Sequence, residues 1–323
     1  MPLLRRPCIG CLGSIGAALP VADLAEGNSQ MGGVTVGQWI GASIELAILR
    51  VASVLPIRLL PAVSNVAGAF YWALSANTRQ VILENISLCF PELSEKARAG
   101  IGRSSVAQTI LGYLESGRWW FGDMSRQVCV IEGLEHLQDL SSQGRGVLLL
   151  GFHFSDMENA ILSLNERIPL CAMYLRRSNP ILEAVSRRSR DRRQMTMLER
   201  SDVRGVLSRL RQGAILWFAP DQEYPDRNQV AAPFFGMALQ TLTSATRLVK
   251  LSGAAVVVLT HYRQPGGCRI MLSPPLEGFG HDAVKDATRI NQLLEEAIRR
   301  RPSSYFWINR RLRRYGALPQ ASP

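Results

Sequence analysis

Short apolar runs bounded by turn residues recur through the chain, at Gly146–Gly151, Leu170–Tyr174, Ala214–Ala219 and Ala254–Thr260. Each is shorter than a typical helix and has no alternating polar face, which predicts strands buried on both sides. Between them lie segments with apolar residues three and four apart, and these predict helices over Asp202–Gln212, Thr241–Ser252 and Ala283–Arg300. Ser94-Glu95 follows a proline-containing turn and predicts a helix start, with the helix running to about Trp120. Strands alternating with helices beyond Asn77 predict a mixed α/β fold whose largely parallel sheet is covered by helices.

The most apolar region is Val34 to Leu74, interrupted by Glu45, Arg50, Pro56, Arg58 and Pro61. A helix that spans a bilayer needs about 20 apolar residues without charge, and this region does not supply them cleanly. Three readings stay open: a helix lying in the membrane interface, one shallow span with Arg50 and Arg58 reaching the headgroups, and a buried helical hairpin. Residues 1–30 read either as a leader, with Arg5 and Arg6 before a small-residue apolar run, or as an overlong start that Met31 replaces. The expected organisation is an N-terminal extension over 1–30, a membrane-associating helical segment over 31–75, an α/β domain over 76–316 and a tail over 317–323.

Charge adds a location for the chemistry. The 37 basic residues exceed the 26 acidic ones to give a net +11, and all but Lys96, Lys250 and Lys285 are arginine. Between Arg176 and Arg211 the net charge is +7; between Arg299 and Arg314 it is again +7, so the rest of the chain nets −3. Two cationic patches on a near-neutral body predict a site for an anionic group. A GC-rich genome would enrich arginine as well. The six cysteines, at 8, 11, 89, 129, 171 and 268, read as reduced thiols, and the lone Cys8-x-x-Cys11 has no second pair to complete a zinc site.

Candidate chemistry begins at His153. It follows the run Val147 to Gly151, where a strand gives way to a loop, and ligands of open α/β sheets bind at the carboxyl ends of strands. Glu158, expected in the first turn of the next helix, would fold back onto the imidazole and make it a better base. The same letters, Ser155-x-x-Glu158, also spell a capping box in which Glu158 only bonds backbone. Asp221 ends a second apolar strand, as a substrate or arginine partner or as a simple turn former. Arg190 lies in the first cationic patch; Arg310 and Arg311 follow Tyr305-Phe-Trp307 in the second. Aromatics beside arginine would suit nucleic-acid bases or a membrane surface equally. The chain has no G-x-x-x-x-G-K phosphate loop and no G-x-S-x-G elbow, and its four histidines make no metal-ligand spacing.

Taken together, these segments resemble the late acyltransferases of lipid A biosynthesis, the lauroyl/myristoyl acyltransferase family of the lysophospholipid acyltransferase-like superfamily. The likeness spans about residues 35–315. It is carried by Leu88-Cys-Phe-Pro-Glu-Leu-Ser-Glu95, Gly151-Phe-His-Phe154 with Glu158, Asn179-Pro180 and Met197-Leu-Glu-Arg-Ser-Asp202. Further on it includes Ala219-Pro-Asp221 with Tyr224, Pro233-Phe-Phe235, and Tyr305-Phe-Trp307 with Arg310-Arg311. The resemblance implies a glycerolphosphate-acyltransferase-like fold at the cytosolic face of the bacterial inner membrane. It implies transfer of a fatty acyl chain from acyl carrier protein to a hydroxyl on the 3-hydroxyacyl chains of a lipid A precursor. The family's motif residues fall on His153, Glu158, Arg190 and Asp221. Asn309 and Gln222 stand where the family commonly has histidine, which leaves subclass and acyl preference open.

Thioesters are activated acyl donors, so the expected mechanism is direct transfer, with no cofactor, metal or enzyme nucleophile. His153 held by Glu158 acts as general base, and Arg190 or backbone N–H groups steady the oxyanion. Asp221 is expected to position Arg190 or substrate, and the cationic patches to hold the lipid phosphates and meet the acidic carrier protein. The alternatives are an acyltransferase for another glycolipid or phospholipid, and a basic membrane-attached protein that binds anionic lipid or nucleic acid. Under the acyltransferase reading no nucleic-acid partner is expected.

Overall fold

The structure, a computed structural model, describes residues 34–122, 128–222, 228–265, 267–309 and 311–312. The extension over 1–30, the tail over 317–323, Tyr224 and Arg310 lie outside the described residues.

Four helices come first: α1 (Val36–Val54), α2 (Leu60–Leu74), α3 (Ala76–Cys89) and α4 (Glu95–Phe121). The Ser94 hydroxyl caps α4 by accepting from Ala97 N–H at 3.3 Å, which is the start signal the sequence displays. α4 is the spine against which α1 and α2 pack. The approach is close: a β-carbon on Gly117 of α4 would collide with Leu49 O of α1. α1 turns Ala42, Leu49 and Ala52 inward and leaves Val36, Ile40, Ile44, Ile48 and Val51 exposed. α2 exposes Val63, Val66, Phe70 and Leu74 in the same way. Apolar residues thus face outward at helical spacing, the reverse of a water-facing helix. No single helix among the described residues is long and apolar enough to cross a membrane; Val36–Val54 and Ile57–Leu74 qualify only as a pair bent by 116°.

The rest alternates as the pattern predicts. In chain order it comprises β1 (Val128–Glu132), α5 (Leu134–Ser142), β2 (Val147–Leu150), α6 (Met157–Asn165), β3 (Leu170–Tyr174), α7 (Pro180–Arg192), β4 (Thr196–Glu199), α8 (Val203–Arg211) and β5 (Ile215–Phe218). There follow β6 (Gln229–Phe234), β7 (Met237–Leu242), α9 (Ser244–Ser252), β8 (Ala255–Gln264), β9 (Gly267–Leu272) and α10 (Ala283–Arg300). Seven strands form one sheet in the order β1-β9-β8-β2-β5-β3-β4, parallel except where β8 meets β9. Successive strand residues enter opposite layers: Leu148, Leu150, Leu216 and Phe218 join one core, while Val147, Leu149, Ile215 and Trp217 join the other. Both faces of the sheet are therefore covered, which is why these strands read as unbroken apolar runs.

Three differences from the pattern have physical causes. The segment from Thr241 was expected to be helical from its first residue, but Thr241 and Leu242 complete the antiparallel hairpin β6–β7, and α9 begins at Ser244. The short edge strand β4 is only partly buried and lacks the apolar run that marks the others. β1 and β9 pair in parallel, which brings Cys129 and Cys268 opposite each other as reduced cysteines with their sulfurs 2.6 Å apart.

Candidate active site

The register of β2 against β5 builds the centre of the site. Leu150 lies opposite Phe218, and Gly151 N–H donates to Phe218 O at 3.0 Å. His153 and Asp221 each stand three residues beyond that matched pair, so both leave the sheet at its carboxyl edge, side by side. The Asp221 carboxylate then binds His153 twice, through Oδ1 to ring Nδ1 at 2.6 Å and through Oδ2 to the backbone N–H at 2.9 Å. With Nδ1 assigned as the protonated nitrogen that faces the carboxylate, Nε2 is left as the basic one.

The loop that carries His153 is clamped from both sides. Its carbonyl accepts from Phe306 N–H at 3.2 Å, Ser155 N–H donates to Ser304 O at 2.8 Å, and Phe154 and Tyr305 form an isolated bridge. Asp156, buried beneath the loop, lies 3.2 Å from His261 Nδ1 and 3.7 Å from Arg301 Nη1. Gly112 of α4 passes so close that a β-carbon there would overlap Ser155 O.

Asp221 is fully buried, and burial alone would raise its carboxyl. The His153 charge, the two bonds from His153 and the Arg311 charge outweigh that and hold it below the usual carboxylate range. The Tyr305 hydroxyl is pushed well up, first by burial and then by the Asp221 charge, so it stays protonated beside the carboxylate.

His153 opens onto a cavity of about 690 Å³ along the carboxyl ends of β2, β3, β4 and β5. Its walls include the apolar residues Met173, Met197, Trp217, Leu242 and Leu248. Arg176, Arg177, Arg190, Arg200 and Arg247 also line it, against the acids Glu158 and Glu199. The cavity therefore combines a mostly apolar wall with a positive lining and one half-buried imidazole. An apolar chain with an anionic head fits that arrangement.

Placed in this frame, the residues named from sequence fall into distinct positions. Glu158 is in the first turn of α6, as expected, and lines the cavity, but its Oε1 accepts from Trp120 Nε1 at 3.3 Å while Asp221 occupies the His153 ring. The expected Glu158 clasp on His153 is thus replaced by Asp221, because strand register brings Asp221 to the ring while Glu158 meets α4. The capping-box alternative fails too, since the N-cap residue of α6 is Asp156 and no side chain caps it. Arg190 lines the cavity from α7, and Asp221 holds His153 instead of Arg190.

Arg311 is buried, with Nη2 donating to Asn291 Oδ1 at 3.0 Å and to Thr241 Oγ1 at 3.4 Å, and does not line this cavity. Much of the second cationic patch is neutralised at short range. Arg299 and Arg300 pair with Glu295 and Glu296 one turn back, acids that lie just outside the counted stretch. Tyr305 and Trp307 are buried and stack edge-on at 5.1 Å, which withdraws them from both a base and a membrane surface.

Asn309, Arg247 and Trp120 were not singled out as site residues. Asn309 Nδ2 donates to Asp221 O at 3.3 Å. Its position in the arginine-rich terminal motif is the signal that its own stretch of sequence holds for that contact. Among the described residues no cluster of three or more His, Cys, Asp and Glu has a geometry that could hold a metal.

A sequence profile of the bacterial lipid A biosynthesis acyltransferases matches residues 34–314. The chain belongs to this acyltransferase family. It is 31% identical over 280 residues to the lipid A biosynthesis palmitoleoyltransferase of Escherichia coli (strain K12), covering 85% of this chain and 90% of that one. It is 32% identical over 245 residues to the lauroyltransferase of the same organism, covering 72% and 78%. The myristoyltransferase of that strain is 26% identical over 283 residues, covering 84% and 85%. The protein is accordingly an acyltransferase of lipid A biosynthesis.

Proposed function

We propose that this acyltransferase moves a fatty acyl chain from an acyl carrier protein thioester to a hydroxyl of a 3-hydroxyacyl chain on a lipid A precursor. His153 is the general base and Asp221 its partner. The observation that carries this reading is the 2.6 Å contact between His153 Nδ1 and Asp221 Oδ1 beside a largely apolar cavity.

In the reaction, His153 Nε2 takes the proton of the acceptor hydroxyl as its oxygen attacks the thioester carbonyl carbon. The tetrahedral intermediate collapses with cleavage of the C–S bond, and the imidazolium returns its proton to the departing thiolate. Asp221 fixes the tautomer and steadies the imidazolium without itself taking the proton. No nucleophile on the enzyme is called for, because the thiolate is a good leaving group. The apolar wall at Met173, Met197 and Leu248 takes an acyl chain, and Arg190 and Arg247 suit the phosphate groups of the acceptor.

The outward apolar faces of α1 and α2 support attachment to the bilayer at the cytosolic side of the inner membrane, where donor and acceptor would meet. The named activities of the relatives, palmitoleoyl, lauroyl and myristoyl transfer, define the range of chains to be tested. Mass spectrometry of lipid A from cells with and without the protein, and with His153→Ala, tests the whole reading. An acyl mass missing from the null and from His153→Ala is the expected result; unchanged lipid A in both would refute it.

A further inference from the structure

The cavity beside His153 wraps over the carboxyl edge of the sheet and enters both layers. One lobe opens past Val203, Ser244, Arg247 and Leu251, of which only Ser244 is not exposed. The other runs inward between α6 and the sheet, along Ile161, Leu162, Ala172 and Trp217, each at most 7% exposed.

Strand register shapes the inner lobe. Ala172 of β3 is paired with Trp217 of β5 on one side and with Met197 of β4 on the other. All three belong to the layer that α6 covers. A methyl group between an indole and a thioether leaves a trough over β3, and Ile161 and Leu162 of α6 roof it. The trough starts at the imidazole: the His153 and Trp217 rings stand edge to face with centroids 6.0 Å apart. Gly151 makes room for the indole, since a β-carbon there would lie 2.5 Å from Trp217 Nε1.

The far end is closed by a partition. Met195 is 5% exposed, yet it lines both this cavity and a second one of about 460 Å³ beside α7. Tyr174, Arg190, Met197 and Glu199 also line both. Tyr174 and Glu199 end their strands at the mouth, whereas Met195 precedes the amino end of β4 and so lies deepest. Arg176, Arg177 and Arg200 follow the carboxyl ends of β3 and β4, which gathers their charge at the mouth. Arg190 comes from farther in, on α7, where its carbonyl accepts from Met195 N–H at 3.1 Å.

We propose that the inner lobe holds the acyl chain of the donor and that Ala172 and Met195 set the length transferred. Ala172 does so by the room it leaves over β3, and Met195 by closing the far end. This deepens the reading of His153 as the base and rests on it. A thioester carbonyl placed at His153 leaves its chain beside Trp217, and the trough continues from there. Each methylene withdrawn from water adds to binding, and a pocket with no room for the next one forfeits that gain.

The test is a competition assay with the full chain in detergent. Lauroyl and myristoyl thioesters of acyl carrier protein are supplied together with a lipid A precursor, and the products are resolved by mass spectrometry. Their ratio is independent of how much enzyme is active, so lost stability alone leaves it unchanged. In Ala172→Leu the lauroyl-to-myristoyl ratio is expected to rise by about tenfold or more, as for a filled hydrophobic pocket. In Met195→Ala, which joins the lobe to the second cavity, the ratio is expected to fall. If Ala172→Leu does not fold, Ala172→Val is read in the same way. Transfer that continues with an unchanged ratio in both variants, or with both ratios moving the same way, overturns the assignment and leaves His153 standing as the base. An unchanged ratio with a raised KM for the acceptor gives the lobe to an acceptor chain and overturns it equally. If the parent transfers neither chain, the acyl-transfer reading fails and this inference fails with it.

Discussion

His153 and Asp221 are 68 residues apart in sequence and 2.6 Å apart in the fold. The same offset of 68 separates Leu150 from Phe218, the last paired residues of β2 and β5. The strand register therefore carries the pairing outward by three residues on each side. A one-residue slip of β5 would turn its side chains to the opposite face and part the pair.

Removing the carboxylate while keeping its shape tests that relationship. Asp221→Asn should lower kcat by about 10²–10⁴-fold, because an amide no longer fixes the tautomer or steadies the imidazolium. His153→Ala should lose at least as much. Circular dichroism should show both variants folded; near-parental transfer rates in Asp221→Asn would refute the pairing.

Glu158 gives a contrasting expectation. An amide oxygen can still accept from Trp120 Nε1, so Glu158→Gln should keep both its fold and the acid limb of the pH–rate profile. The limb should move in Asp221→Asn. A shift of that limb in Glu158→Gln would show that Glu158, and not only Asp221, tunes the base during turnover.

Acid stability follows from two depressed carboxyls. Burial opposes ionisation of Asp156, but the neighbouring His261 and the charges of Arg263 and Arg301 leave it held well below the usual range, and Asp221 is lowered too. Groups depressed in the folded state contribute fully above the unfolded value of about 3.9, and that contribution disappears as pH falls through the folded values. Denaturant unfolding between pH 6 and pH 2 should show stability falling toward acid, with a shallower fall in Asp156→Asn. Asp156→Ala should cost about 3–5 kcal/mol, since it leaves the largely buried Arg301 without its carboxylate.

The outward face of α1 has a direct readout. Ile44 and Ile48 are exposed, and withdrawing each from water is worth about 1.5–3 kcal/mol. A double change to Ser should weaken sedimentation with anionic lipid vesicles by more than about tenfold at unchanged melting temperature. Unchanged vesicle binding with lower stability would instead place this face inside the protein's own packing.

Arg190→Ala should raise KM for the lipid acceptor about tenfold or more with a smaller change in kcat, as expected for a group that grips a phosphate in substrate and transition state alike. Arg190→Lys should recover only part of the loss if the grip is bidentate. Steady-state kinetics with acceptor varied at fixed donor separates the two parameters.

The sequence by itself determined the layered α/β fold, four of the seven sheet strands, the start of α4 at Ser94, and His153 and Asp221 as residues that end strands. These are local properties: unbroken apolar runs, helical spacing and turn residues are written in contiguous stretches of chain. It also marked the unusual apolar stretch that became α1 and α2. Only the tertiary structure decided which acid reaches which base. Glu158 is five residues from His153 and Asp221 is 68, so proximity along the chain favours Glu158, whereas strand register sets Asp221 against the ring. It also decided the fate of the charges. Arg299, Arg300 and Arg301 look free as a run, yet folding places Glu295, Glu296 and Asp156 against them. Arg311, one of the same run, is drawn inward and linked through Asn309 to Asp221, because buried charge is governed by three-dimensional neighbours that no stretch of sequence displays.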